Sequence, residues 1–344
     1  MLNVRLINFV YSFVVKKFYG RFNGKLFPLV AIPGSYIALF YLLLKKKKNQ
    51  VVILPTSALG DTLYILSFWE NLYKLSNQAD TQLVFYLSDR YKRIVETYNP
   101  PIDGIVYLKH LGMKHVLLLM LSACLYHSKS VEIARRRNIF GVIPRIHKRW
   151  LKKNSFIGTR NQLAHILNMP LDPISYHQLP QVNISAIKDF EYLRNKICVI
   201  NPYSYSMSYS VSLYERICEK LKLLGYIVYT NVVGEQREIN GSIPLRCGIE
   251  ELYSIACEIP LVVSVRSGVV DFLIPSNTSM FVIYEKWKDV NSIKLDVEGD
   301  ERPYSLMEWR PKGHVYEAYM EKENDDDKIL DEFDKYLKKW NLDV

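Results

Sequence analysis

From residue 51 onward, apolar positions fall into two alternating patterns. Short unbroken runs (51–54, 83–87, 105–108) read as buried strands, and stretches at helical spacing follow each of them. Leu63, Leu66, Trp69 and Leu72 share one side of a helix predicted over 62–75. Further helices are predicted over 89–98, 115–126 and 158–167. The segment 171–190 contains Pro173 and Pro180 and few helix formers, so it reads as a linker. Beyond it the pattern restarts, with strands at 197–200, 227–230, 261–264 and 280–284. Helices are predicted over 212–224, 249–258 and from Gly268, and Gly225 takes the position that ends a helix. An amphipathic helix over 325–340 closes the chain.

Strands alternating with helices imply parallel βαβ units. Two such series joined by a linker predict an α/β chain of two Rossmann-like domains, an arrangement of the GT-B type. The expected divisions are an N-terminal segment 1–48, a first domain 49–170, a linker 171–190, a second domain 191–320 and a terminal helix 321–344.

Charge changes the picture at the N-terminus. The 344 residues carry 45 Lys+Arg and 35 Asp+Glu, a formal net charge of +10. Nine basic residues lie before residue 51, among them Lys45, Lys46, Lys47 and Lys48, and the first acid is Asp61. Arg5, Asn8, Ser12 and Lys16 form a polar stripe on an otherwise apolar helix over 2–22. Residues 26–44 lack charge but are interrupted by Pro28, Pro33 and Gly34. The expectation is a membrane-associating segment lying in or re-entering the bilayer, with a spanning helix and a domain-packing hairpin as alternatives. A second basic zone, 129–160, includes Arg135, Arg136 and Arg137. The rest of the chain is acidic, and no nucleic-acid motif accompanies the cations, so nucleic-acid binding is not expected. The five Cys are scattered, without a C-x-x-C pair or nearby His at ligand spacing. They predict neither a metal site nor a disulfide framework, and suit a reducing compartment.

The sharpest chemical feature is Ser57-Ala58-Leu59-Gly60-Asp61, set between a strand and a helix. Gly60 permits close backbone approach, and Asp61 lies in the first helical turn. It can favour the helix dipole there, or act as a general base toward a hydroxyl. Arg266-Ser267-Gly268 forms a second strand-to-helix turn, where the cation either meets an anionic ligand or pairs with Asp271. Ser204 and Ser206, in a hydroxyl-rich loop after Asn201-Pro202, could hydrogen-bond a phosphate or simply form turns. Gly234 and Glu235 make a further turn. Ile249, Glu250 and Glu251 open a helix, where the acids serve either a ligand or the helix start.

The strand followed by T-S-A-L-G-D-T-L-Y-I-L resembles the opening of the lipopolysaccharide heptosyltransferases, glycosyltransferase family 9. The resemblance extends loosely over residues 51–285 and includes the N-P-x-S loop at Asn201. It implies a metal-independent, inverting transferase with no cofactor beyond its nucleotide-sugar donor. It makes Asp61 the catalytic base, with Gly60, Ser204, Ser206, Gly234, Glu235, Ile249, Glu251, Arg266, Ser267 and Gly268 toward the donor. Arg266 departs from the family, which has an acidic residue there, so a sister family of surface-polysaccharide transferases is the closer expectation. The implied partners are a nucleotide-sugar, a lipid-linked or anionic glycan acceptor and a membrane surface. The implied location is the cytoplasmic face of the inner membrane. A sugar-nucleotide epimerase and a non-catalytic membrane-bound pseudo-transferase are the alternatives.

Overall fold

The computed structural model describes residues 27–45, 49–56, 59–77, 82–98, 104–110, 112–124, 139–140, 160–161, 163–164, 169–177, 179, 182–204, 210–284, 305–320, 325–340 and 342. The chain divides into two compact units, residues 1–178 and 179–344, and the division falls inside the predicted linker.

In the first unit, β1 (Gln50–Ile53), β2 (Gln82–Ser88), β3 (Ile105–Leu108) and β4 (Ile139–Phe140) form a four-stranded parallel sheet in the order β3-β2-β1-β4. Parallel pairing needs crossovers, and the apolar-faced helices supply them. The single helix expected over 62–75 is two, α2 (Leu59–Leu66) and α3 (Trp69–Asn77). The two meet at Ser67, whose hydroxyl donates to the Tyr64 carbonyl at 2.7 Å. Its own carbonyl accepts from the Ser175 amide at 2.9 Å, and the buried Arg160 donates to its Oγ at 3.1 Å. Leu63, Leu66, Trp69 and Leu72 are buried as the spacing predicts. The helical stretch α4 (Lys92–Glu96) and α5 (Met113–Cys124) follow β2 and β3. Gly104, before β3, is required because a Cβ there would lie 1.9 Å from the Leu83 carbonyl oxygen.

The interruption expected at Pro28, Pro33 and Gly34 does not occur. Residues Phe27–Lys45 form one helix, α1, unbroken at Pro33, and Pro28 sits in its first turn, where a missing N–H costs nothing. Ala38, Leu39 and Leu42 of α1 are buried in a cluster with Leu118 and Leu121 of α5 and Val52 of β1. One side of the described helix therefore packs on the first unit. Among the described residues no helix is long and apolar enough to cross a membrane. Residues 1–26 and Lys46 to Lys48 lie outside the described residues, as does most of the second basic zone.

The second unit has a six-stranded parallel sheet in the order β10-β9-β8-β5-β6-β7. Its strands are β5 (Ile197–Asn201), β6 (Ile227–Asn231), β7 (Ile243–Leu245), β8 (Leu261–Val265), β9 (Ser279–Tyr284) and β10 (Val315–Tyr319). Counted from β5, this is the 3-2-1-4-5-6 order of dinucleotide-binding folds. Helix α6 (Phe190–Leu193) precedes β5, and the intervening helices are α7 (Val211–Leu223), α8 (Ile249–Glu258) and α9 (Gly268–Leu273). Gly225 ends α7 as expected, at φ +84°. The Gly225 and Tyr226 amides return to the carbonyls of Lys222 and Leu221, a Schellman closure.

The C-terminal helix α10 (Asp326–Lys339) is part of this unit rather than a separate tail. Its Ile329, Phe333, Tyr336 and Leu337 enter the core beside Cys198, Leu213 and Phe281. Burying each large apolar side chain contributes about 1.5–3 kcal/mol. The acids of α10 meet α7: Asp326 accepts from Ser210 and Ser212, Asp327 pairs with Arg216, and Asp334 pairs with Lys220. Part of the acidic remainder of the chain is thus a docking face. Cys198 and Cys218 are buried thiols, whereas Cys247 and Cys257 are half-buried.

Candidate active site

A parallel sheet presents all the loops that follow its strands on one edge, and a crevice opens where the strand order reverses. In the first unit that reversal lies between β1 and β4. The chain leaves β1 through the buried Leu54, Pro55 and Thr56, then enters α2, whose first turn holds Asp61. The Thr56 and Thr62 hydroxyls meet at 2.6 Å in a buried hydrogen bond. This bond ties the strand end to the residue after Asp61 and fixes the turn that carries the carboxylate. Gly60 and Asp61 are half-buried, while Thr62 to Leu66 are buried. Asp61 therefore sits at the boundary between core and surface, where an acid can meet a ligand and still be held by its helix. Ser57 and Ala58 lie outside the described residues.

In the second unit the reversal lies between β5 and β8, with Asn201 opposite Ser264 in register. A buried polar chain crosses the strand ends here. Asn231 donates to the Asn201 side-chain carbonyl at 2.9 Å, and the Asn201 amide donates to Ser264 Oγ at 2.9 Å and Ser267 Oγ at 3.4 Å. Buried amides need such partners, and together they fix the strand ends in one arrangement. Neither Asn was singled out as a site residue. A signal was present, since ICVIN and IVYTN are both apolar strands that close on asparagine.

The turn after β8 contains Arg266, Ser267 and Gly268, as expected. The Arg266 guanidinium is 5% exposed and its partner Asp271 1%. Nη2 donates to Oδ1 at 2.6 Å and Nη1 to Oδ2 at 2.9 Å, a bidentate pair. Nη1 also donates to the Ser267 carbonyl at 2.9 Å. Burial pushes the Asp271 carboxyl up, and the Arg266 charge and hydrogen bonds oppose that rise. Of the two expectations for Arg266, the geometry displays the pairing one, and the cation braces the Ser267-Gly268 turn from inside.

The other expected donor residues lie on the same edge of this sheet, since each follows a parallel strand. Ser204 follows β5 and is half-buried, while Ser206 lies outside the described residues. Gly234 adopts φ +61° in the turn after β6, its carbonyl accepts from Arg246 at 3.1 Å, and Glu235 is exposed. Ile249 opens α8 after β7. Glu251, one turn from a ligand role, is committed elsewhere. Its Oε1 accepts from the Ser185 amide at 2.6 Å, the Ser185 hydroxyl at 3.1 Å and the Ala186 amide at 2.8 Å. Partial burial works against its charge, but these three donors hold its pKa below the usual carboxylate value. It fastens the chain that enters the unit.

Of the expected acceptor and membrane cations, Lys45 is described and lies 5.2 Å above the Tyr41 ring. Lys114 of α5 approaches the same ring at 5.5 Å and Tyr86 at 5.2 Å. Arg135, Arg136 and Arg137 lie outside the described residues. Among the described residues no cluster of His, Cys, Asp and Glu could hold a metal ion.

No protein-family model and no curated protein matches the sequence. Solved structures do. One is the ADP-heptose lipopolysaccharide heptosyltransferase II of E. coli, with 12% identity and a TM-score of 0.48, covering 85% of this chain and 99% of that one. A second is a glycosyl transferase of family 9 from Veillonella parvula, with 14% identity and a TM-score of 0.46, covering 85% and 89%. A third is TibC, an iron-containing dodecameric glycosyltransferase of enterotoxigenic E. coli, with 14% identity and a TM-score of 0.45. It is matched over 69% of this chain and 58% of its own, so the likeness spans only part of that longer protein. The chain is similar in fold to glycosyltransferases of this kind.

Proposed function

We propose that the chain is an inverting glycosyltransferase that moves a sugar from a nucleotide-sugar to a lipid-linked glycan acceptor in bacterial surface-polysaccharide synthesis. The observation that carries this reading is Asp61, a half-buried carboxylate in the first turn of the helix after the reversal-point strand. In this mechanism Asp61 accepts the proton of the acceptor hydroxyl. The oxygen attacks the anomeric carbon, the bond from that carbon to the phosphate oxygen breaks, and a nucleoside diphosphate leaves.

The donor's place in this reading is the ligand edge of the second unit, whose strand order is that of nucleotide-binding sheets. Hydrogen bonds from Ser204, the Ser267-Gly268 turn and the loop at Gly234 would spread the charge of the leaving diphosphate. Arg266 contributes by fixing that turn through Asp271, and Ser206 belongs to the same loop as Ser204. No metal or cofactor is assigned to the reaction. The acceptor's anionic part would meet Arg135, Arg136 and Arg137, at the cytoplasmic face of the inner membrane.

A thermal-shift screen of the full chain against ADP, GDP and UDP tests the donor half. A ligand that populates only the folded state raises the melting temperature, by about 2.7 kcal/mol of stabilisation at a hundred times its Kd. Stabilisation by one of these nucleotides supports the reading, and none by any of them refutes it. Incubating the matching nucleotide-sugar without acceptor then separates transfer from epimerisation, because an epimerase turns the donor over alone.

A further inference from the structure

The helix α1 presents two apolar sides, and among the described residues one packs into the fold while the other is exposed. Ala38, Leu39 and Leu42 are 2–4% exposed against the first unit. Tyr36, Ile37, Phe40 and Leu44 are 50%, 60%, 65% and 70% exposed. At roughly 100° per residue the two sets point about half a turn apart. A packed surface helix ordinarily turns polar residues outward. Here the outward strip is apolar over two turns and ends at Lys45.

We propose that this outward strip of α1 docks the protein in the plane of an anionic lipid surface. The charge of the flanking sequence selects lipid over other occupants. Lys45 closes the helix, three more lysines follow it in the sequence, and residues 1–60 contain no acid at all. Lys114 adds a cation from α5, beside Tyr41. Tyrosine and lysine at the border of an apolar strip suit the headgroup layer, where rings and long stems straddle water and acyl chain. The 26 residues joined directly to the start of α1 continue the same cationic, acid-free character. A stable protein pair buries roughly 800 Å² per partner, more than these four partly exposed side chains can offer. The buried side of the helix fixes its depth: with Leu39 and Leu42 in the protein core, α1 lies along the surface instead of crossing it.

This contact deepens the membrane location of the transferase reading by naming the residues that meet lipid, and its test uses no transfer assay. The full chain is floated with vesicles of phosphatidylethanolamine and phosphatidylglycerol, and with vesicles of phosphatidylcholine alone. Three proteins are compared: the wild type, the double variant Ile37→Asn/Phe40→Asn, and Leu223→Ser, which removes an exposed leucine on α7. The expected result is binding to the anionic vesicles, weakened by 0.5 M salt and lowered about ten-fold in the double variant. Leu223→Ser floats as the wild type does. Both altered sites are exposed, so melting temperatures stay within a degree or two of wild type, and this checks that the variants fold. The proposal is overturned if the wild type ignores anionic vesicles. It is equally overturned if the folded double variant floats like the wild type, which would assign the binding to residues 1–26. A change in sedimentation from dimer to monomer with vesicle binding unaltered would make the strip a contact between copies and overturn it too.

Discussion

Asp61 and Asp271 hold the same kind of position in different surroundings. Each is an aspartate in the first turn of a helix that follows a strand at a reversal of sheet order. Asp271 is 1% exposed and held by both terminal nitrogens of Arg266. Asp61 is half-buried, and the hydroxyl pair Thr56–Thr62 beside it fixes the backbone. Helix position alone favours negative charge in both places by at most about 1 kcal/mol. Burial decides the rest, because a carboxylate deep in the protein must be neutralised by a partner, whereas one at the rim can remain ionised toward a ligand.

The largest effect that would break this contrast lies in the buried pair. Asp271→Ala leaves the Arg266 charge without its acceptor, and should cost about 3–5 kcal/mol in a denaturant titration. Arg266→Met combined with Asp271→Leu should recover most of that loss. If Asp271→Ala unfolds at the same denaturant concentration as wild type, the pair is not the brace described above.

His115 extends the burial rule to a cation in the first unit. It is 1% exposed, and burial, assisted by the neighbouring His110, lowers its pKa to about 4 from 6.5, against the pull of Asp89. The native state thus keeps it neutral while the unfolded chain takes up a proton below pH 6.5. Stability from this group is complete above that pH and is lost as pH falls toward 4, on the order of 3 kcal/mol in all. His115→Gln should flatten that part of the stability–pH curve, and an unchanged slope would remove His115 as its source.

The smallest effect concerns the contact between α7 and α10. Ser210 caps α7 by accepting from the Leu213 amide and donates to Asp326. Ser210→Ala should lower stability by about 1 kcal/mol, measured by chemical denaturation. A fall as large as that of Asp271→Ala would show that the surface cap rivals the buried pair.

The elements whose evidence is local were readable from the chain. Apolar runs bounded by turn residues placed β1, β2, β3, β5, β6, β8 and β9, and helical spacing placed α5, α7, α8 and α10. Features fixed by distant partners were not. The break at Ser67 depends on Ser175 and Arg160, about a hundred positions away. The edge strands β7 and β10 owe their state to pairing, and β7 contains Pro244, which an edge tolerates. At the candidate site, the positions of Asp61 and the Ser267-Gly268 turn were legible because each follows a strand and opens a helix. Glu251 looked equally suited to a ligand, but its partners Ser185 and Ala186 lie about 65 positions earlier. The Arg266–Asp271 pair, only five residues apart, was visible as one of two possibilities. Only burial separates them.

The central claim is that the rim aspartate acts on substrate while the buried one supports the fold. Asp61→Asn tests it most directly, with single-turnover transfer and melting temperature measured on the same preparation. The account predicts a fall in transfer of about 10²- to 10⁴-fold, the usual contribution of a general base, with nucleotide binding and melting temperature unchanged. Wild-type transfer in a folded Asp61→Asn protein would contradict it.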